Sequence, residues 1–325
     1  VQRGEAGVAR CTPRVQALHV YSSNPAAVCP NQTLVLEGLA REDLFTVVHE
    51  QVLTDTASYA DLVLPATTSM EHEDLYRSYG QFTLQLAQPV LPPQGQAKSN
   101  WEVCALLARA MGVAEEHYAK TPRALISEFL GRGDDTVRGI TYEQLRRDGW
   151  ARINLPTPYL PFAHGAPTAS GKVEFYSERM ERQGLPPLPT YTPLVEGPEN
   201  LALAARYPLQ CLVPPNRFFL NSSFSQSELL RRRQGAPSVL IAPEDAAQRG
   251  IADGDAVVVE SARGRARFAA RVTDATRRGV VVIEGIWWHR FHPGGRGVNV
   301  LTDDRVTDMG GGPAFHSNLV EVARV

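Results

Sequence analysis

Cysteine is scarce. The 325 residues hold four, Cys11, Cys29, Cys104 and Cys211, and no two stand at CxxC spacing. Zinc and iron–sulfur sites usually show at least one short-spaced pair, so the plainer reading is buried free thiols. Lysine is scarcer: Lys98, Lys120 and Lys172 are the lysines among 33 basic residues. An excess of either charge is lacking too. The formal net charge of −2 gives no overall pull toward nucleic acid or an anionic membrane. No apolar run approaches the length of a membrane helix, so direct membrane insertion is not expected. No secretory leader is visible. The first residue is Val, so the chain reads as a piece cut from something longer, with any export signal upstream and the compartment left open between cytoplasm and periplasm. A GxSxG elbow, a P-loop, HExxH and GxGxxG are all missing. Gly294-Gly295-Arg296-Gly297 and Gly310-Gly311-Gly312 are glycine-rich, but such runs are more often loops than phosphate cradles.

What is present is ordinary globular texture, 43% hydrophobic and 21% charged, with room for two or three domains. Residues 15–21 read as a strand ending at Ser22-Ser23-Asn24-Pro25, 34–39 as a helix, 44–48 as a second strand and 61–65 as a third short run. Strands alternating with helices predict a parallel α/β sheet. A helix is expected over 100–112, capped by Asn100, with Val103, Leu106, Leu107, Ala110 and Met111 on its apolar face. Another covers roughly 121–131. Residues 184–208 carry six prolines and read as a crossing between domains. Then short β runs recur at 208–213, 238–242, 255–260, 265–272, 279–283 and 318–323, the rhythm of a small all-β barrel. One helix interrupts it, with Ser225 and Glu228 in a capping-box pattern and Arg231, Arg232 and Arg233 favouring its C-terminal end.

In a parallel sheet, ligands gather beyond the carboxyl ends of the strands. Asn24 follows the first strand, and His49 and Glu50 follow the second. Glu50 suits the paired N–H donors of a guanine edge. Equally, Asn24 is placed to make only a turn and Glu50 to be solvated. Glu71, His72, Glu73 and Asp74 form a polar cluster that fits a metal site or, more plainly, an acid-rich helix start. Asn216-Arg217 and Asn221-Ser222-Ser223 supply polar groups suited to a pterin edge or a sugar-phosphate, and Asn299 and His316 sit in late loops, where each alone reads more plainly as a turn or capping residue.

Taken in order, five segments resemble the dimethyl sulfoxide reductase family of molybdopterin oxidoreductases. They are Ser23-Asn24-Pro25-Ala26, residues 52–65 (VLTDTASYADLVLP), 92–101 (PPQGQAKSNW), 168–175 (TASGKVEF) and 243–257 (PEDAAQRGIADGDAV). The resemblance implies an α/β parallel-sheet segment, residues 1–195, followed by a double-psi β-barrel that binds the molybdopterin dinucleotide, residues 196–325. It implies a molybdenum bis(molybdopterin guanine dinucleotide) cofactor and two-electron chemistry on a small substrate, as in anaerobic respiration. Carried over by position, Asn24, His49 and Glu50 touch one dinucleotide at the sheet edge, His72 stands where a cofactor-contacting residue is often found, and Asn100 falls at a guanine-contact position or serves only as a helix cap. Asn216, Arg217, Asn221, Ser222, Ser223, Asn299 and His316 are barrel-side contacts, and Phe291 lies near the substrate funnel. Asn100 stands where the family usually has Asp, and Asn221 and Ser223 where many members have His. The family's molybdenum ligand and 4Fe-4S cysteines lie upstream, in an expected N-terminal half of the same protein. This stretch alone is therefore expected to be inactive, and an iron–sulfur electron-transfer subunit is an expected partner. The alternative is a non-catalytic scaffold, like the large peripheral subunit of respiratory complex I.

Overall fold

The computed structural model describes residues 2–3, 9–10, 13–113, 116–307 and 310–325. Cys11 lies outside them. By compactness the chain forms two units, one of residues 1–64 with 193–325, the other of residues 65–192. This grouping differs from a division at 195/196: the chain does return near that point, but its first 64 residues group with the barrel.

In the first unit, strand β1 (Ala17–Tyr21) is followed by helices α1 (Pro25–Val28) and α2 (Gln32–Leu39) and strand β2 (Phe45–Glu50). A turn of 3₁₀ helix, Thr56–Tyr59, leads to β3 (Leu62–Pro65), and the three strands form one sheet in sequence order. β1 and β2 are parallel, with Tyr21 opposite His49, so their carboxyl ends share one edge. β2 outlasts the apolar run by two residues, so His49 and Glu50 end the strand instead of following it. The pairing accounts for this, since Ser22 N–H still donates to the His49 carbonyl (3.3 Å).

The second unit begins with β4 (Asp74–Arg77) and β5 (Thr83–Ala87), followed by α3 (Asn100–Ala110), α4 (Pro122–Arg132), α5 (Tyr142–Asp148), β6 (Trp150–Arg152) and α6 (Glu178–Arg182). β4, β5 and β6 form an antiparallel sheet. Leu84, Leu86, Ile126, Leu130, Leu145 and Ile153 build its core. An α/β parallel texture running to residue 195 did not anticipate this sheet. Its strands of three to five residues are too short to print a clear alternation. Ser99, not Asn100, caps α3: its side chain accepts from Glu102 N–H, and Glu102 reaches back to Ser99 N–H (2.8 Å). The buried face of α3 is Ala105 and Ala108, while Leu106, Leu107 and Met111 are exposed.

Back in the first unit, α7 (Leu201–Arg206), β7 (Leu209–Leu212), α8 (Glu228–Gln234), β8 (Ser238–Ile241), α9 (Pro243–Gln248), β9 (Ala256–Glu260), β10 (Arg265–Val272) and β11 (Val280–Val282) follow in turn. A small ribbon of β12 (Asp303–Val306) and β13 (Pro313–Ala314) precedes β14 (Asn318–Arg324). Six strands close a barrel in the order β8-β10-β9-β14-β7-β11. Two of its pairs, β8–β10 and β7–β11, are parallel and the others antiparallel. Alternate residues such as Val257, Val259, Phe268, Val320 and Val322 point inward, which is the period-2 pattern the sequence carries. Ser227, not Ser225, caps α8. Ser225 is buried and its hydroxyl accepts from Trp288 N–H (3.4 Å).

Polar side chains fix the α/β piece to the barrel loops. Fully buried Gln32 donates to the Ala26 carbonyl (2.8 Å) and accepts from Gly297 N–H (2.8 Å). Asn299 donates to the Ala27 carbonyl (2.7 Å). Each replaces a lost water contact with a protein one, so each tie also sets register.

Candidate functional site

Among the clefts beside the barrel within the first unit, two are lined by residues singled out in the sequence. The first, about 230 Å³, is walled by Asn24, Glu50 and Gln51 from the sheet edge and by Ser222, Ser223 and Trp288 from the barrel loops. Four residues picked from the sequence, up to 199 positions apart, therefore face one space (24 to 223). Parallel pairing of β1 and β2 is what brings the first two together.

Asn24 is not merely a turn residue. It is buried, and its Oδ1 accepts from both Thr56 N–H (3.1 Å) and Thr56 Oγ1–H (2.8 Å). Its Nδ2 is buried with no hydrogen-bond partner among the described residues. A buried amide donor left unmade is costly, so it leaves a place for an acceptor other than the described residues. Glu50 is half-buried, and its Oε1 takes the Gln51 N–H (2.7 Å). This wall offers a carboxylate, amides and hydroxyls, with no Lys, Arg or His lining it. Such a set suits a neutral heterocycle bearing N–H donors better than a phosphate.

The second cleft, about 140 Å³, is lined by Asn216, Asn221, Gly285, Asn299 and His316. Asn216 Oδ1 accepts from Phe218 N–H (3.0 Å) and Phe219 N–H (2.7 Å), while its buried Nδ2 has no partner among the described residues. Gly285 lies against it: a Cβ there would stand 2.1 Å from Asn216 Nδ2, and φ is +77°. His316 Nδ1 accepts from Val213 N–H (3.3 Å). Asn299 is already committed on both sides of its amide, to Ala27 and to Thr302 (3.2 Å), so it shapes the cleft as a structural tie.

Of the other expected contacts in the first unit, His49 and Arg217 line neither cleft. His49 is buried in β2 and does not line the first cleft; it lies near His19, whose pKa is lowered by burial and then by His49. Arg217 is exposed, with its guanidinium 5.9 Å from the Phe218 ring. Asn100 and His72 belong to the second unit. His72 Nδ1 pairs with Thr67 Oγ1 (2.8 Å). Glu71 is neither in a helix start nor in a metal site. It accepts from Thr68 N–H (2.7 Å), Thr68 Oγ1–H (2.8 Å) and Gln94 N–H (2.8 Å), bonds that hold its carboxyl below the usual range. Among the described residues no cluster of His, Cys, Asp and Glu fits a metal ion. Phe291 stacks on Trp288 (5.9 Å, 16°) and carries the Arg231 guanidinium 3.8 Å from its ring centroid, so Arg231 does more than favour a helix end.

Sequence reasoning gave no role to Asp55, within the 52–65 segment, or to Trp288. Asp55 has no exposed surface, and its carboxylate accepts from His289 N–H (2.6 Å) and Arg290 Nε–H (2.6 Å). Arg290 also donates to the Thr54 carbonyl (2.5 Å). Burial holds the His289 imidazole below its ordinary range, against the opposing pull of Asp55. This clamp fixes the loop that presents Trp288 to the first cleft. The segment carries two acids, Asp55 and Asp61, and nothing in the sequence alone singles out Asp55.

Residues 6–110 match the family described as molybdopterin oxidoreductase, and residues 209–319 match the one described as "Molydopterin dinucleotide binding domain". The probable oxidoreductase YoaE of Bacillus subtilis is 41% identical over 96% of this chain and 45% of its own length. The trimethylamine-N-oxide reductase of Haemophilus influenzae is 29% identical over 87% of this chain and 37% of its length. The solved structure of acetylene hydratase from Pelobacter acetylenicus superposes with a TM-score of 0.78 at 25% identity, over 96% of this chain and 44% of that one. The chain belongs to the dimethyl sulfoxide reductase family of molybdopterin oxidoreductases. It spans less than half the length of these relatives.

Proposed function

We propose that this chain forms the dinucleotide-holding part of a molybdenum-dependent oxidoreductase and that the first cleft takes the guanine end of a molybdopterin guanine dinucleotide. The observation that carries this is that Asn24, whose buried Nδ2 has no partner among the described residues, lines the same cleft as Glu50. Guanine presents adjacent N1 and N2 donors, for which a carboxylate is a matched acceptor, and an O6 acceptor that an amide donor can meet. The second cleft, with Asn216 Nδ2 as its unpartnered donor, takes a pterin edge. A closed six-stranded barrel that mixes two parallel with four antiparallel pairs supports the double-psi barrel class.

When bound, the cofactor supplies two-electron redox chemistry at molybdenum. The residues here bind and orient it and exclude water, and Phe291 on its Trp288 stack belongs to the neighbourhood of the substrate path. A second molybdopterin guanine dinucleotide, a 4Fe-4S cluster and an electron-transfer subunit complete the proposed enzyme. The test is Glu50→Ala in the purified protein, with molybdenum content and thermal unfolding measured together. Glu50 closes a strand at an edge and adds little to the core, so the fold should persist. Removing it leaves two buried guanine donors unpaired, at about 1–3 kcal/mol, or roughly ten- to hundredfold in cofactor affinity. Unchanged molybdenum occupancy under cofactor-limited expression would return Glu50 to a solvated strand end.

A further inference from the structure

Phe224 combines three features that the core does not explain. It lines the first cleft, it is half exposed, and its φ is +72°. That region is sparsely populated by side chains other than Gly, Asn and Asp, and an aromatic residue kept there carries strain. Other aromatics of the same stretch are used by the fold: Phe219 is buried with its ring 5.0 Å from that of Trp287. Phe224 has no ring or cation partner of this kind among the described residues.

Its backbone is nevertheless pinned on both sides. A tight turn precedes it, with Leu220 N–H donating to the Ser223 carbonyl (3.1 Å) and Ser223 N–H to the Leu220 carbonyl (2.9 Å). The Ser222 carbonyl accepts from Trp288 Nε1–H (2.7 Å), and the Ser225 hydroxyl accepts from Trp288 N–H (3.4 Å). The Phe224 carbonyl itself accepts from Ser227 N–H (3.0 Å). Phe224 therefore stands between two anchors on one buried tryptophan, rigid in backbone and open in side chain.

We propose that Phe224 is a specificity-determining residue whose ring stacks on a planar heterocycle held by Asn24 and Glu50. The edge groups read donors and acceptors, and the ring supplies the flat face that an edge cannot. This rests on the reading of the first cleft as a guanine site. Base–aromatic stacking is worth on the order of five- to a hundredfold in affinity.

The experiment compares Phe224→Gly, Phe224→Leu and Phe224→Trp with Glu50→Ala. Each is purified under cofactor-limited expression and assayed for guanosine monophosphate released by acid and for thermal unfolding. Glycine relieves the positive φ, so Phe224→Gly should keep or raise Tm while its guanine content falls severalfold. Phe224→Leu should lose content as well, lacking an aromatic face. Phe224→Trp should retain it, with the added indole emission quenched on loading. Full guanine content in the Gly or Leu variant, beside a loss in Glu50→Ala, would overturn the stacking role and leave the cleft reading standing. Full content in Glu50→Ala too would overturn both. A fall in Tm that tracks the loss of guanine would assign Phe224 a structural role and overturn the proposal.

Discussion

Arg290 Nε–H meets the Asp55 carboxylate at 2.6 Å across 235 residues of sequence. The pair joins the segment after β2 to the barrel loop that carries Trp288, so the two walls of the first cleft are set by one another. Asp55→Ala leaves Arg290 Nε–H and the His289 N–H without their acceptor, while the Arg290 terminal nitrogen keeps the Thr54 carbonyl and the Ser58 hydroxyl. Arg290 is about one-third exposed, which softens the cost below that of a fully buried pair, to roughly 2–3 kcal/mol. Denaturant unfolding of Asp55→Ala, Arg290→Ala and the double variant should give a coupling above about 1 kcal/mol. Simple additivity would show that the clamp is ornamental.

His292 provides a pH test. It is buried edge-on against Phe268, ring centroids 4.8 Å apart, and burial lowers its pKa to about 4. The folded value is below the unfolded 6.5, so the unfolded chain binds the proton more tightly. Stability is then full above pH 6.5 and falls as pH drops toward 4, by about 3 kcal/mol at most for this group. His292→Phe should flatten that part of the stability–pH curve relative to wild type. Parallel curves would mean that His292 titrates normally.

Cys211 lies wholly inside the barrel, and burial raises its thiol to about 12. It should resist iodoacetamide in the native protein at pH 8 and react only after unfolding. Mass spectrometry of labelled peptides decides this, and fast native labelling of Cys211 would contradict the closed barrel.

Gly285→Ala probes the second cleft. The new methyl would meet Asn216 Nδ2 at 2.1 Å on a backbone with φ of +77°. Strain of about 1–2 kcal/mol and a displaced Asn216 are expected. Cofactor content should fall further than Tm alone accounts for, and a variant with wild-type content would remove Asn216 from the binding surface.

Much of this was legible in the sequence, unevenly. The barrel strands fall within a residue or two of their apolar alternations because inward positions admit little else. Asn24 and Glu50 were readable as candidates at strand ends, and Ser222 and Ser223 as a separate polar loop read as pterin-contacting; that the two groups line one cleft was not readable, because it depends on how the barrel loops fold back onto the sheet. The helix caps were misplaced by one or two residues, since Ser99 and Ser227 compete with Asn100 and Ser225 and only backbone geometry decides. His49 was misplaced because hydrogen bonding to β1 prolongs β2 past its apolar run. The Asp55 clamp and the strained Phe224 were invisible, because each depends on a partner or a dihedral angle set by distant chain.

The central claim is that the first cleft holds a guanine between Glu50 and the Ser222–Ser223 turn. The direct measurement is an experimental structure of the cofactor-loaded protein. The account predicts a purine in that cleft, its N1 and N2 donors on the Glu50 carboxylate and its O6 within reach of Asn24 Nδ2. A cofactor-loaded structure with the guanine elsewhere and Asn24 Nδ2 still unpartnered would contradict it.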